Sequence, residues 1–170
     1  EELLRHLADM VCEVVTARST VICLYHEEDG TLRSRCVKTL EDPHGLEFKA
    51  ILGEAFLEWV RGFEGRTSPV VSADDPQVVQ AFPELARELA RNDLLLFTPL
   101  VFKGRLLGLL AVGHRYAGGP YGQRDREFLS TLAPLASNAL SNAHLYDLAI
   151  HDTTTGLYMG HYLRQRLREE

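Results

Sequence analysis

Residues 94–114 constrain the fold more than any other part of this chain. Leu94–Phe102 and residues 106–114 are almost continuously apolar, and the turn Lys103-Gly104-Arg105 joins them. Arms of that composition suit central strands covered on both faces, and the polar glycine turn makes them an antiparallel hairpin. Pro99 has no backbone N–H to give a ladder, so it marks a bulge or a ladder end.

The remaining elements can be read around this hairpin. Leu3, Leu7, Met10, Val11 and Val14 recur at three- and four-residue steps and predict an opening helix that packs through that row. Residues 20–25 read as a buried strand, Glu28-Asp29-Gly30 as a turn with a glycine available for positive φ, and residues 32–40 as the returning strand. A second helix is expected from Phe48 to Phe63, with Leu52, Phe56, Trp59, Val60 and Phe63 on one face and Gly62 and Gly65 stopping it. A short strand at residues 69–72 leads into Ala73-Asp74-Asp75-Pro76. There Asp74 is the expected helix cap, with proline in the first turn. Residues 77–91 are expected to hold short helices interrupted at Phe82-Pro83. Irregular segments of this kind can line a ligand pocket.

Arg124 opens a long closing helix with two apolar rows. Phe128, Leu132, Leu135, Ala139 and Tyr146 form one, and Leu129, Ala133, Ala136, Leu140 and Ala143 the other. One row can cover the sheet while the other meets the first helix or a second copy of the chain, a physical basis for a homodimer. A helix of about 24 residues extends roughly 36 Å, a length suited to a signalling connector. Pro134 is a possible kink within it.

Composition narrows the function. The 170 residues are 45% hydrophobic, enough for one substantial core, and the net charge is −6 without a basic block. Binding to a nucleic-acid polymer or to an anionic membrane face is disfavoured. Cys12, Cys23 and Cys36 fit none of the close metal-ligand spacings and read as buried thiols of a reducing compartment. No run approaches the roughly 18 apolar residues of a membrane span, so the expected location is cytoplasmic. Glu1 begins inside a helical pattern, which leaves room for a membrane region or sensor upstream. The seven histidines show no short recurrent interval. Phosphate-loop, zinc-helix and nucleophile-elbow motifs are absent, so no catalytic or metal site is assigned.

The order helix, hairpin, helix, irregular segment, hairpin and exit helix resembles a GAF domain over residues 1–146. The most recognisable parts are residues 94–100, residues 104–112, and Leu132-Ala133 with Asn142-Ala143-His144-Leu145-Tyr146 behind them. A PAS-like sensor is the competing fold; a helix that both opens the fold and leaves it after the last hairpin favours GAF. The resemblance implies an α+β fold with a central antiparallel sheet, flanking helices and a long C-terminal signalling helix. It also implies a small-molecule pocket between the sheet and its crossing segments. That directs attention to Trp59, Phe82 and Phe97 as apolar walls, and to Asp74 and Thr98 as polar groups. Taken singly, Trp59 and Phe97 read first as core and Asp74 as a helix cap, and an anion-binding version would recruit Arg87 or Arg91. The cofactor stays unknown. The Asn-Lys-Phe-Asp-Glu signature of many cyclic-nucleotide-binding members is absent, and no cysteine lies in the family's usual bilin-attachment segment.

Residues 147–170 read as a connector and the start of another domain. Asp152, Thr155, Gly156 and Leu157 match the opening Asp-any-Leu-Thr-Gly-Leu of GGDEF domains, a family associated with making cyclic di-GMP from two GTP molecules. Thr154 replaces the usual leucine, and Met159-Gly160-His161 stands where many members have Asn-Arg-Arg. The metal-binding strand and signature hairpin of that family are not in these residues, so cyclase chemistry is not expected of them. The resemblance implies a sensor, possible ligand included, that controls an attached GGDEF output through a helical dimer. A ligand-free structural dimerisation module is the alternative.

Overall fold

The computed structural model describes residues 2–40, 46–64 and 66–150. In chain order they form α1 (Glu2–Val14), β1 (Ser19–His26), β2 (Thr31–Thr39), β3 (Lys49–Ile51), α2 (Glu54–Arg61), β4 (Val71–Ser72), α3 (Pro76–Ala81), α4 (Pro83–Arg91), β5 (Leu94–Phe102), β6 (Arg105–Gly113) and α5 (Gln123–Ile150). All six strands pair antiparallel, in the order β3-β2-β1-β6-β5-β4. The fold is the expected α+β type: a curled antiparallel sheet with flanking helices and a C-terminal helix. Contacts divide the chain into two compact units, Glu1–Ser137 and Asn138–Glu170, and the sheet belongs to the first.

The apolar hairpin takes the middle of the sheet. Its turn is two residues, Lys103 and Gly104, both at positive φ (49° and 73°), and Arg105 already pairs with Phe102. Two consecutive positive φ values match the twist of the flanking strands. β6 lies between β1 and β5 and is buried along nearly its whole length. Pro99 is tolerated because β4 pairs only with Leu96 and Phe97, leaving that stretch of β5 at a sheet edge.

Strand alternation separates two cores. Val21, Cys23, Phe97, Leu109 and Ala111 face Phe56 and Val60 of α2, Val78 of α3, and Leu85 and Leu89 of α4. Each large apolar side chain fully buried there contributes about 1.5–3 kcal/mol. On the opposite face Thr20, Ile22, Leu96, Leu110 and Val112 are buried together with α1 and the first half of α5. Arg126 of α5 donates to Val70 O (3.3 Å) and Ser72 Oγ (3.0 Å), and Ser130 Oγ to Ser68 O (3.2 Å), fixing that helix over the β4 side.

Three sequence expectations change. α1 packs through Leu4, Ala8, Val11 and Cys12, with Leu3, Met10 and Val14 exposed. Small side chains let the helix approach closely enough for Cys12 Sγ to lie 3.1 Å from Thr20 Oγ1, so the bulkier row turns outward. Residues 49–51 are a strand and not the start of α2. Ala50 is buried opposite Leu32 between exposed Lys49 and Ile51, and Gly53 begins the helix. Asp75, and not Asp74, caps α3, its Oδ1 accepting from Gln77 N at 2.8 Å. The break between α3 and α4 falls at Phe82-Pro83 as expected.

Two close approaches fix β6. A methyl group on Gly108 would run into the Cys23 carbonyl, and one on Gly113 into Ser19 Oγ. Beyond Gly113 the chain turns into α5, and Tyr121 OH donates to Gly113 O at 2.6 Å. Asp125 Oδ2 accepts from Gly122 N (2.8 Å), a reach back that satisfies an amide at the helix start. Burial, then the Asp125 carboxylate, pushes the Tyr121 phenol above its usual range.

Gly108→Ala is expected to destabilise by about 1–3 kcal/mol. In thermal unfolding this appears as a Tm lower by about 2–4 °C per kcal/mol. Gly53→Ala, whose methyl meets nothing within 4 Å, is the control. The folded state holds the Tyr121 proton, so the stability this group contributes is present below pH ~10 and lost as pH rises beyond it. Tyr121→Phe should cost about 0.5–1.5 kcal/mol at neutral pH and flatten the alkaline loss; an unchanged alkaline profile contradicts this assignment.

Candidate functional site

Three of the residues singled out as pocket walls meet in one aromatic cluster. α2 supplies Phe56 and Trp59, Phe82 sits at the joint between α3 and α4, and Phe97 comes from β5. Ring centroids are 5.3 Å apart for Phe56–Trp59, 5.1 Å for Phe56–Phe82, 5.5 Å for Trp59–Phe82 and 6.4 Å for Trp59–Phe97. Phe63 adds an edge-on contact to Trp59 at 4.8 Å. These tilted and edge-to-face spacings are those of packed aromatic groups. Phe97 is fully buried, while Trp59 and Phe82 are half-buried and form the outer wall.

The polar candidates are placed elsewhere. Asp74 is exposed in the turn before α3. Thr98 follows Phe97 in the strand and therefore faces the other side of the sheet, where its buried hydroxyl has no hydrogen-bond partner among the described residues. Arg87 is exposed and paired with Glu84 at 3.0 Å. On α5, Leu132 is buried, Ala139 and Leu140 are half-buried, and Leu135 is exposed. The side chain of Tyr146, and Asp152, Thr155, Gly156 and Leu157, lie outside the described residues.

Arg91 belongs to a second arrangement, a cavity of about 550 Å³ at one end of the sheet. Among the described residues, Leu46 and Gly118 border it and four segments converge on it: Arg18 and Ser19 where β1 begins, Thr39 ending β2, Arg91-Asn92-Asp93 from the end of α4 to β5, and His114-Arg115 after β6. Backbone pairing brings them there. Ala17 bridges Arg115, Arg18 N donates to His114 O (2.7 Å), Tyr116 N to Thr16 O (2.9 Å), and Leu40 N to Arg18 O (2.9 Å). The Arg115 guanidinium closes the arrangement, donating from Nε to Thr16 Oγ1 (3.1 Å) and from Nη1 to Pro120 O (3.2 Å). One side chain thus ties the segment leaving α1 to the segment leading into α5.

Among the described residues, the charged lining of this cavity is three arginines and one aspartate, with His114 beside them. Arg91 also faces Glu88 at 3.6 Å. Sequence reasoning reached Arg91 alone. Arg18, His114 and Arg115 stand just outside strand ends, and only the antiparallel register brings residues about 100 positions apart to the same edge. A smaller cavity of about 230 Å³ at the other end is bordered by Tyr25, Glu27, Arg61 and Arg105, and its Arg105–Glu27 pair at 2.9 Å neutralises itself.

The cysteines offer little to covalent chemistry. Cys12 and Cys23 are buried, Cys36 is half-buried, and burial pushes all three thiols up, away from the reactive thiolate. Among the described residues no helix is long and apolar enough to cross a membrane.

The GAF domain family pattern matches residues 1–141. Among solved structures, the blue-light absorbing form of the PixJ GAF domain from Thermosynechococcus elongatus superposes with a TM-score of 0.64 at 16% identity, covering 86% of this chain and 87% of that one. A GAF domain/HD domain protein from Geobacter sulfurreducens gives 0.60 at 15% identity, covering 86% and 95%. The GAF domain of an Acinetobacter phosphoenolpyruvate-protein phosphotransferase gives 0.58 at 20% identity, covering 84% and 82%. No curated protein matches the chain. Sheet order, flanking helices and family pattern agree, and the chain belongs to the GAF domain family, whose members are non-catalytic, signal-sensing regulatory modules that often bind small molecules or bilins.

Proposed function

We propose that this GAF domain is the sensing input of a larger regulatory protein and passes its signal through paired helices to a GGDEF-like output. The observation that carries this reading is the backbone bridge at residues 16–18 and 114–116, which couples the segment after α1 to the segment before α5. A change in that bridge reaches both helices at once. Ligand occupancy then needs only to shift the balance between two arrangements of a dimer. The match of Asp152, Thr155, Gly156 and Leu157 to a GGDEF opening supplies the output half of the proposal.

An outward apolar row supports pairing of two copies. Leu3, Leu7, Met10 and Val14 alternate steps of four, three and four along α1, the spacing of a two-helix seam, and three of them are exposed. Leu135 adds an exposed apolar position on α5. The second reading, a ligand-free dimerisation module, is favoured by the aromatic packing that occupies the space between the sheet and α2–α4. Mass spectrometry of protein purified without added ligand separates the two: a retained small molecule supports sensing, and its absence together with dimerisation supports the structural module.

Light scattering after size exclusion is expected to show a dimer of the 170-residue chain. Met10→Glu and Leu135→Glu should each weaken it at least about tenfold, about 1.4 kcal/mol, while Val79→Glu on exposed α3 leaves it intact. A charge at buried Leu132 tests the fold instead of the interface. A monomer at high concentration removes the dimer from both readings.

A further inference from the structure

We propose that the cavity between the α1–β1, α4–β5 and β6–α5 connections is a binding site for a small multivalent oxyanion, a ligand bearing phosphate or several carboxylate groups. Three observations converge on it. The chain carries a net charge of −6, yet among the described residues this cavity gathers Arg18, Arg91 and Arg115, with Asp93 as the carboxylate beside them. Guanidinium groups present planar forks of donors that match phosphate and carboxylate oxygens two at a time. The volume, about 550 Å³, lies within the range of roughly 300–1,000 Å³ in which small-molecule sites fall.

The arginines are held ready to different degrees. Arg115 is fixed by Thr16 and Pro120 through Nε and one Nη, and its fork has further N–H donors. Arg91 is 67% exposed and its contact with Glu88 is long, 3.6 Å, so its guanidinium can swing toward an anion at little cost. His114 adds a ring N–H, and Asp93 an acceptor suited to a ligand hydroxyl. A bound oxyanion gripped by Arg91 and Arg115 links α4 to the bridge between the α1 and α5 connections. This regulatory consequence rests on the sensor reading; the site itself stands on its own geometry.

Isothermal titration calorimetry of the 170-residue chain, at constant ionic strength set with potassium chloride, tests the site with inorganic pyrophosphate and with citrate as separate probes. Saturable binding of at least one probe, with one site per chain, is the expected result, and the stronger probe names the phosphate or the carboxylate source. Arg91→Glu and His114→Ala should each raise Kd by about tenfold or more. Arg87→Glu, the same charge reversal on the same helix but paired with Glu84, should leave Kd within about twofold. Arg115→Gln can loosen the fold, so Arg91→Glu, at an exposed position, carries the test, with thermal unfolding as the check on folding. Absence of saturable binding for both probes, or an equal loss in Arg87→Glu, overturns the site. Binding with the expected variant pattern but no change in the dimer sustains the site and counts against its coupling to output.

Discussion

Everything in this fold depends on how closely β6 lies against β1. Gly108 faces the carbonyl of Cys23, and Gly113 faces Ser19, at separations that leave no space for a methyl group. That approach lets β6 be covered on both faces and shared by β1 and β5. It also aligns the strand ends so that pairing continues past the sheet, through Ala17 and Arg115, into the connections of α1 and α5. The helices leave the fold from a junction set by backbone hydrogen bonds.

The two faces of the sheet are used differently. On one, α2, α3 and α4 pack an aromatic group around Trp59 and Phe82 against Phe97. On the other, small residues of α1 and α5 bring the helices close to the strands and leave apolar side chains such as Met10 and Leu135 facing outward. The arginine-lined cavity belongs to neither core. It opens at the sheet end where the chain enters and leaves, so a ligand there acts on the connections directly and need not distort a packed interior.

Much of the architecture was legible because it is written in local signals. Continuous apolar arms around Lys103-Gly104 gave the central hairpin, and Phe82-Pro83 gave the break between α3 and α4. Where a segment carries two competing patterns, periodicity alone does not choose. α1 has apolar side chains on two rows, and the inward one was decided by the small size of Ala8 and Cys12 against Thr20. β3 is three residues flanked by Phe48 and Leu52, which read as helix spacing until pairing with β2 claimed Ala50. The aromatic meeting of Trp59, Phe82 and Phe97 could be inferred from the family resemblance. The meeting of Arg18, Arg91, His114 and Arg115 could not, because it depends on the register of three separate connections.

Hydrogen exchange at two backbone amides tests the central claim most directly. Arg18 N bonds to His114 O, and Tyr116 N to Thr16 O, from opposite sides of the junction. If that junction couples the connections of α1 and α5, saturating whichever of pyrophosphate or citrate binds should slow exchange at both amides together. Arg91→Glu should shift both effects together to anion concentrations about tenfold higher or more. Protection that rises at one amide and not the other, or at neither while the anion is bound, contradicts the coupling.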